Sequence, residues 1–316
     1  MTYSPKTQTL LDGWRDAASS VVDAVQSDGG ADWQAARDDY ADRLQAMLPA
    51  PAGVTFEDVD LGGVPTLLIT PDTIEDGRAL FYMHGGGYVH SAPRAYHGLA
   101  GHYARKLRAR VYIPDYRQAP EYPFPIPIAD TFTAYRALIA TGQDPSRLAV
   151  SGDSAGGAMV VTIMRKARNA GIALPVAGVA ISPWADLGHT GPSARTRDGI
   201  DPLCSTAFLD RLARLFLANE LTDHPDASPI YADVRGLPPV LIQMGETEVM
   251  LSGAITLAKN LSEQKVRTTL EVWPDMFHVW HSFAGHMAEA DEALDNAVTF
   301  LERELARQAA SSLPES

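Results

Sequence analysis

Beyond residue 53 the chain alternates short apolar runs with longer segments whose apolar residues recur every three or four positions. The short runs lie at 54–59, 64–70, 79–83, 110–114, 147–151, 176–181, 239–244 and 268–273, and they predict eight β-strands. Gly62-Gly63 between the first two predicts a hairpin. After the third run, helical periodicity at 96–107, 128–141, 155–170 and 252–264 separates the strands, and a last helix is predicted over 286–308. That alternation predicts an α/β fold: a mostly parallel sheet with right-handed crossovers and helices on both faces. The first fifty residues carry no strand pattern. They predict two helices, 7–25 and 33–48, with Asp32 as an N-cap and Pro49-Ala50-Pro51 as a stop.

One interval breaks the rhythm. Residues 182–238, between the sixth and seventh strands, are too many for a simple crossover. Within them 205–217 has a helical apolar face of Phe208, Leu209, Leu212, Leu215 and Phe216. An ordinary core helix would show this face, and so would a cap helix over a site at the strand C-termini, where α/β sheets bind ligands. The division expected is a cap segment at 1–50, core at 51–186, a cap insertion at 187–236 and core again at 237–316.

Composition narrows the class. Among 316 residues, 46% are hydrophobic and 21% charged, the balance of a globular chain with a sizeable core. A formal net charge of −13 argues against nucleic acid as a partner, because phosphate binding needs basic surface. It also disfavours anionic substrates at long range. No run reaches the roughly 18 apolar residues of a membrane span, and residues 1–13 lack a basic-then-apolar leader. Cys204 is the one cysteine, so no internal disulfide forms, and a cytoplasmic protein is expected.

Two motifs carry chemistry. Gly152-Asp153-Ser154-Ala155-Gly156 stands between a predicted strand and a predicted helix, the setting of a nucleophile elbow. Its glycines relieve crowding around the sharp turn. The alternative for Ser154 is a helix N-cap. His84-Gly85-Gly86-Gly87 follows another strand and leaves backbone N–H groups uncovered, as an oxyanion hole requires. A serine hydroxyl needs a base, and nine histidines compete for that role.

The chain resembles the bacterial hormone-sensitive-lipase-like esterases of the α/β-hydrolase superfamily. The resemblance spans residues 54–308 and rests on HGGGYV at 84–89, DYRQAPEYPFP at 115–125, GDSAGG at 152–157 and PDMFHVW at 274–280. It implies an eight-stranded α/β-hydrolase sheet with a helical cap, and carboxylic ester hydrolysis with no metal or organic cofactor. It selects His278 as the base, in the chain order Ser, acid, His. His281 then reads as a solvated loop or helix-start residue, and His286 as a surface helix residue. A zinc site at His278 and His281 lacks an evident third ligand. The family's acid, usually Asp, falls at Glu248, with Glu246 as the rival; a second acidic position holds Ser252 instead. That departure bears on how His278 is supported. The implied oxyanion hole is Gly86, Gly87 and Ala155, with the His84 ring bonded to loop backbone near 115–117 and residues 120–127 as a stiff brace.

Tyr88 and Trp184 are expected at the pocket wall, with apolar surface from Phe208, Leu212, Met276 and Phe277. Such a pocket suits short-to-medium acyl esters, or lactones cleaved by the same residues. A non-catalytic small-molecule receptor of this fold is the alternative from another class. The expected partner is a small ester or lactone, with no nucleic acid, no membrane and a homodimer as the family's common state. Activity is expected to rise through a histidine ionisation near ~6.5.

Overall fold

The computed structural model describes residues 3–27 and 30–311. The outermost positions of the predicted segments 1–50 and 237–316 lie outside the described residues. Three helices come first: α1 (Pro5–Ala17), α2 (Ser19–Gln26) and α3 (Trp33–Met47). The predicted helix 7–25 is thus two. Ser19 Oγ donates to Asp16 O at 2.7 Å, a side-chain bond that competes with the helix ladder at the α1–α2 junction. The strands β1 (Val54–Asp60), β2 (Pro65–Pro71), β3 (Ala79–Met83), β4 (Arg110–Pro114), β5 (Leu148–Asp153), β6 (Gly178–Ile181), β7 (Val240–Gly245) and β8 (Thr268–Trp273) form one sheet in the order β1-β2-β4-β3-β5-β6-β7-β8. β2 runs antiparallel to β1 and β4, and every other pairing is parallel. This is the expected eight-stranded α/β-hydrolase sheet. Every residue of β3, β5, β6 and β7 is buried, as happens when helices cover both faces of parallel strands.

The covering helices are α4 (His97–Leu107), α5 (Ile126–Ala140), α6 (Ala155–Asn169), the short α7 (Ser193–Thr196), α8 (Thr206–Leu217), α9 (Leu251–Glu263) and α10 (Ala288–Ser311). α10 begins later than predicted. Gly285 is left-handed at φ 79° and donates its N–H to Asp291 Oδ1, so His286 lies in the turn before the helix. His281 is also not solvated: it is fully buried in the short 3₁₀ turn Trp280–Phe283.

The segments before β1 and between β6 and β7 meet above the C-terminal ends of the strands. Arg211 of α8 donates to the carbonyls of Val25 and Gln26, and Arg15 Nε of α1 donates to Pro202 O at 3.1 Å. α3 is fastened to the sheet side by Arg37. Its guanidinium donates to Val89 O and Ala119 O, both at 2.9 Å, and forms a two-point ion pair with Glu121. The proline-rich stretch is preceded by two bonds, Ala119 N–H to Tyr88 O and Gln118 Nε2 to Ser91 O, and within it Phe124 N–H donates to Phe216 O. From Ile126 onward it is already α5.

Candidate active site

Ser154 ends the turn from β5 into α6 with φ 53° and ψ −117°, a strained backbone for a residue with a Cβ. Its side chain makes no capping bond to α6, which removes the N-cap explanation. The flanking glycines answer a real crowding. A Cβ at Gly152 would stand 2.5 Å from Gly156 O, and one at Gly156 would run into Met83 O. The preceding Asp153 ties the elbow to the glycine loop: it accepts from Tyr82 Oη at 2.8 Å, Tyr96 Oη at 3.0 Å and Gly85 N–H at 3.1 Å. Burial pushes its carboxyl up to about 6, against the downward pull of the two tyrosine bonds.

The Gly85 N–H is engaged, whereas among the described residues nothing accepts from the N–H of Gly86, of Gly87 or of Ala155 at the start of α6. Gly86 and Gly87 have φ of 103° and 61°. A Cβ at Gly86 would strike His90 O, and one at Gly87 would lie 2.7 Å from Leu212 Cδ1. The His84 ring differs from expectation. It stacks on Tyr116 at 4.2 Å, and its Nδ1 bonds the adjacent Gly85 O at 2.8 Å instead of backbone at 115–117. Tyr116 makes the cross-link itself, donating from Oη to His84 O.

His278 lies in the loop after β8, and its Nδ1–H donates to Glu248 Oε2 at 2.7 Å. Glu248 Oε1 accepts from Ser182 Oγ and from Gly245 N–H, both at 2.7 Å, so the carboxylate is fully engaged and fully buried. Ser182 Oγ in turn accepts from Val279 N–H, closing a ring between β6, β7 and the histidine loop. Glu246 points elsewhere and pairs with Arg197. Ser252, at the family's second acidic position, exchanges hydrogen bonds with Ser193. Burial alone would lower the His278 pKa. The Glu248 bond and charge, with Asp201 and Asp153 beyond, outweigh it and raise the pKa above 6.5. His281 cannot share this role: its Nε2–H donates to Gln243 Oε1, and burial, then the His278 charge, push it down to about 3.

Ser154 and His278 line one cavity of about 380 Å³, together with Gly86 and Gly87. Among the described residues no hydrogen bond joins Ser154 Oγ to the His278 imidazole; contacts of this kind often tighten only around the reacting substrate. Trp184 lines the cavity, its indole N–H held by His189 Nε2 at 2.9 Å. Tyr88 does not. Its backbone is left-handed at φ 63°, and its ring stacks on Phe216 at 3.8 Å in the core beneath α8. Phe208, Leu209 and Leu212 of α8 form one wall, and Trp14 of α1, Ala18 at the α1–α2 junction, and Val21 and Val22 of α2 another. Met276 and Phe277 are absent from the walls; Phe277 packs edge-on against Tyr3 and lies against Phe283.

Several lining residues carried no signal in the sequence. Asp201 is buried, accepts from Leu203 and Cys204 N–H through Oδ1 and from Val249 N–H through Oδ2, and is pushed up to about 6 by burial. Cys204, its thiol pushed up by burial, and His90 line the same space. Among the described residues no group of three or more His, Cys, Asp or Glu could hold a metal, and no helix is long and apolar enough to cross a membrane.

The geometry has counterparts in known proteins. A sequence family described as alpha/beta hydrolase fold matches residues 80–282. An acetyl-hydrolase from Streptomyces hygroscopicus is 41% identical over 72% of this chain and 76% of its own length. An esterase from Acinetobacter venetianus is 26% identical over 82% of this chain and 86% of its own. The crystal structure of an esterase from the bacterial hormone-sensitive lipase family superposes with a TM-score of 0.89 at 37% identity, covering 96% of this chain and all of the other. With a serine elbow, a glycine loop and a buried carboxylate–histidine pair around one cavity, the chain belongs to the hormone-sensitive-lipase-like branch of the α/β-hydrolase superfamily and is a serine hydrolase of carboxylic esters.

Proposed function

We propose that the protein hydrolyses short-to-medium acyl esters through an acyl-enzyme formed on Ser154. His278 takes the serine proton as Oγ attacks the ester carbonyl and returns it to the departing alcohol; water then repeats the cycle on the acyl group. Glu248 holds the imidazole in the tautomer with its proton on Nδ1 and stabilises the imidazolium. The N–H groups of Gly86, Gly87 and Ala155 receive the developing oxyanion. Residues 1–50 and 187–236 act as the cap and 51–186 with 237–316 as the core. A cytoplasmic homodimer pairing through the open β8 edge, where Val272 is exposed, completes the reading.

The observation that carries it is the 2.7 Å His278–Glu248 bond at the wall of the cavity that Ser154 also lines. The apolar walls and a volume of about 380 Å³ favour a compact acyl group over a triglyceride. The test is a panel of p-nitrophenyl esters of increasing acyl length, with covalent labelling by an organophosphonate. Turnover should peak at short to medium chains, the label should map to Ser154, and Ser154→Ala should lose several powers of ten in kcat, on the order of a lost triad member. Labelling at another residue, or comparable turnover by the alanine variant, would refute the assignment.

A further inference from the structure

His90 sits where the glycine loop turns back on itself. Its N–H donates to Gly86 O at 2.9 Å, and its ring lines the same cavity as Ser154, Gly86, Gly87 and His278. Nδ1 is enclosed by the protein without a hydrogen-bonding partner; the ring nitrogen left to meet a ligand is Nε2, which no group among the described residues bonds. The ring is held edge-on against Tyr40, with centroids 5.1 Å apart and planes at 86°. Tyr40 also lines the cavity. Its hydroxyl accepts the Trp14 indole N–H at 3.1 Å, and the hydroxyl proton has no acceptor among the described residues. Burial pushes the His90 imidazole down to about 3, with His84, Arg37 and His278 adding to the effect. At neutral pH it is therefore uncharged, with one N–H to donate and one lone pair to accept.

The cavity walls are largely apolar, with Trp14, Ala18, Val21, Val22, Leu209 and Leu212 among their residues. A polar side-chain atom without a protein partner, placed among largely apolar cavity walls, is the feature that fixes a single polar group of a ligand. We propose that His90, with the Tyr40 hydroxyl beside it, is a specificity-determining residue. It selects esters that carry a hydroxyl, ether or carbonyl oxygen a few bonds from the scissile carbonyl over their plain alkyl counterparts. A site that holds such an oxygen rejects the analogue lacking it, because the imidazole is then left unpaired in the closed complex. The inference rests on the esterase reading of the same cavity.

The test compares kcat/KM within two matched pairs. p-Nitrophenyl 3-hydroxybutyrate against p-nitrophenyl butyrate places the oxygen in the acyl half; 2-ethoxyethyl acetate against pentyl acetate places it in the alcohol half. The wild-type protein should favour the oxygenated member of one pair by about tenfold, the scale of one hydrogen bond in a desolvated site. That ratio should fall toward one in His90→Leu and be partly kept in His90→Asn, whose amide still donates and accepts. A wild-type ratio near one in both pairs overturns the inference without any variant, as does a preference that His90→Leu retains in full. Failure to turn over p-nitrophenyl butyrate at all would instead defeat the esterase reading, and this inference with it.

Discussion

At the residue scale, Gly245 and Ser182 fix the buried Glu248 carboxylate. Both donate to Glu248 Oε1 and leave Oε2 for His278. In the proposed mechanism neutral His278 is the active form, so activity should rise with pH, and its raised pKa should move the acid limb above the 6.5 of an unperturbed histidine. In Glu248→Gln the opposing effect of burial dominates, and the limb in kcat/KM should fall below its wild-type position while kcat drops on the order of 10⁴. A pH profile of both proteins checks this; an unmoved limb would mean another group governs it. The motif residues were legible one by one because a strained turn and an exposed N–H loop need glycine at fixed spacing. Tyr88 was not. Its neighbour in the sequence is the glycine loop, but its left-handed backbone and the Phe216 ring take it out of the cavity, and spacing says nothing of either.

At the element scale, the sheet was readable where strands are short, apolar and bounded by turn residues; β3, β4 and β8 fall at their predicted limits. The junction of α1 and α2 escaped because a side-chain bond from Ser19, and no Gly or Pro, marks it. The stretch 197–205, which brings Asp201 and Cys204 to the cavity, has no periodicity to read. α8 was readable as an apolar face, though not as the wall that meets the glycine loop. Leu212, only 2% exposed, abuts the space a side chain at Gly87 would fill. Leu212→Ala should therefore do two things. It should cost about 2–5 kcal/mol of stability, as emptied leucine sites do, read as a lower denaturation midpoint. It should also move the acyl-length optimum toward longer chains in an ester series, and an unchanged optimum would place the acyl group away from α8.

At the scale of the whole molecule, a net charge of −13 repels anions approaching the cavity mouth, where Arg15 is the one cation on the wall among the described residues. For an ester bearing a free carboxylate, kcat/KM relative to its neutral methyl ester should climb as salt is added from low ionic strength, since the Debye length shrinks to about 8 Å at 0.15 M. A ratio indifferent to salt would show that the local cation cancels the global field. The cavity is also assembled from remote stretches of chain. Trp14 to Gln26 supply one wall, and His278, far along the chain, lines the same cavity. A ribosome-bound intermediate that has not yet extended past residue 278, however well its early strands have paired, holds no complete pocket.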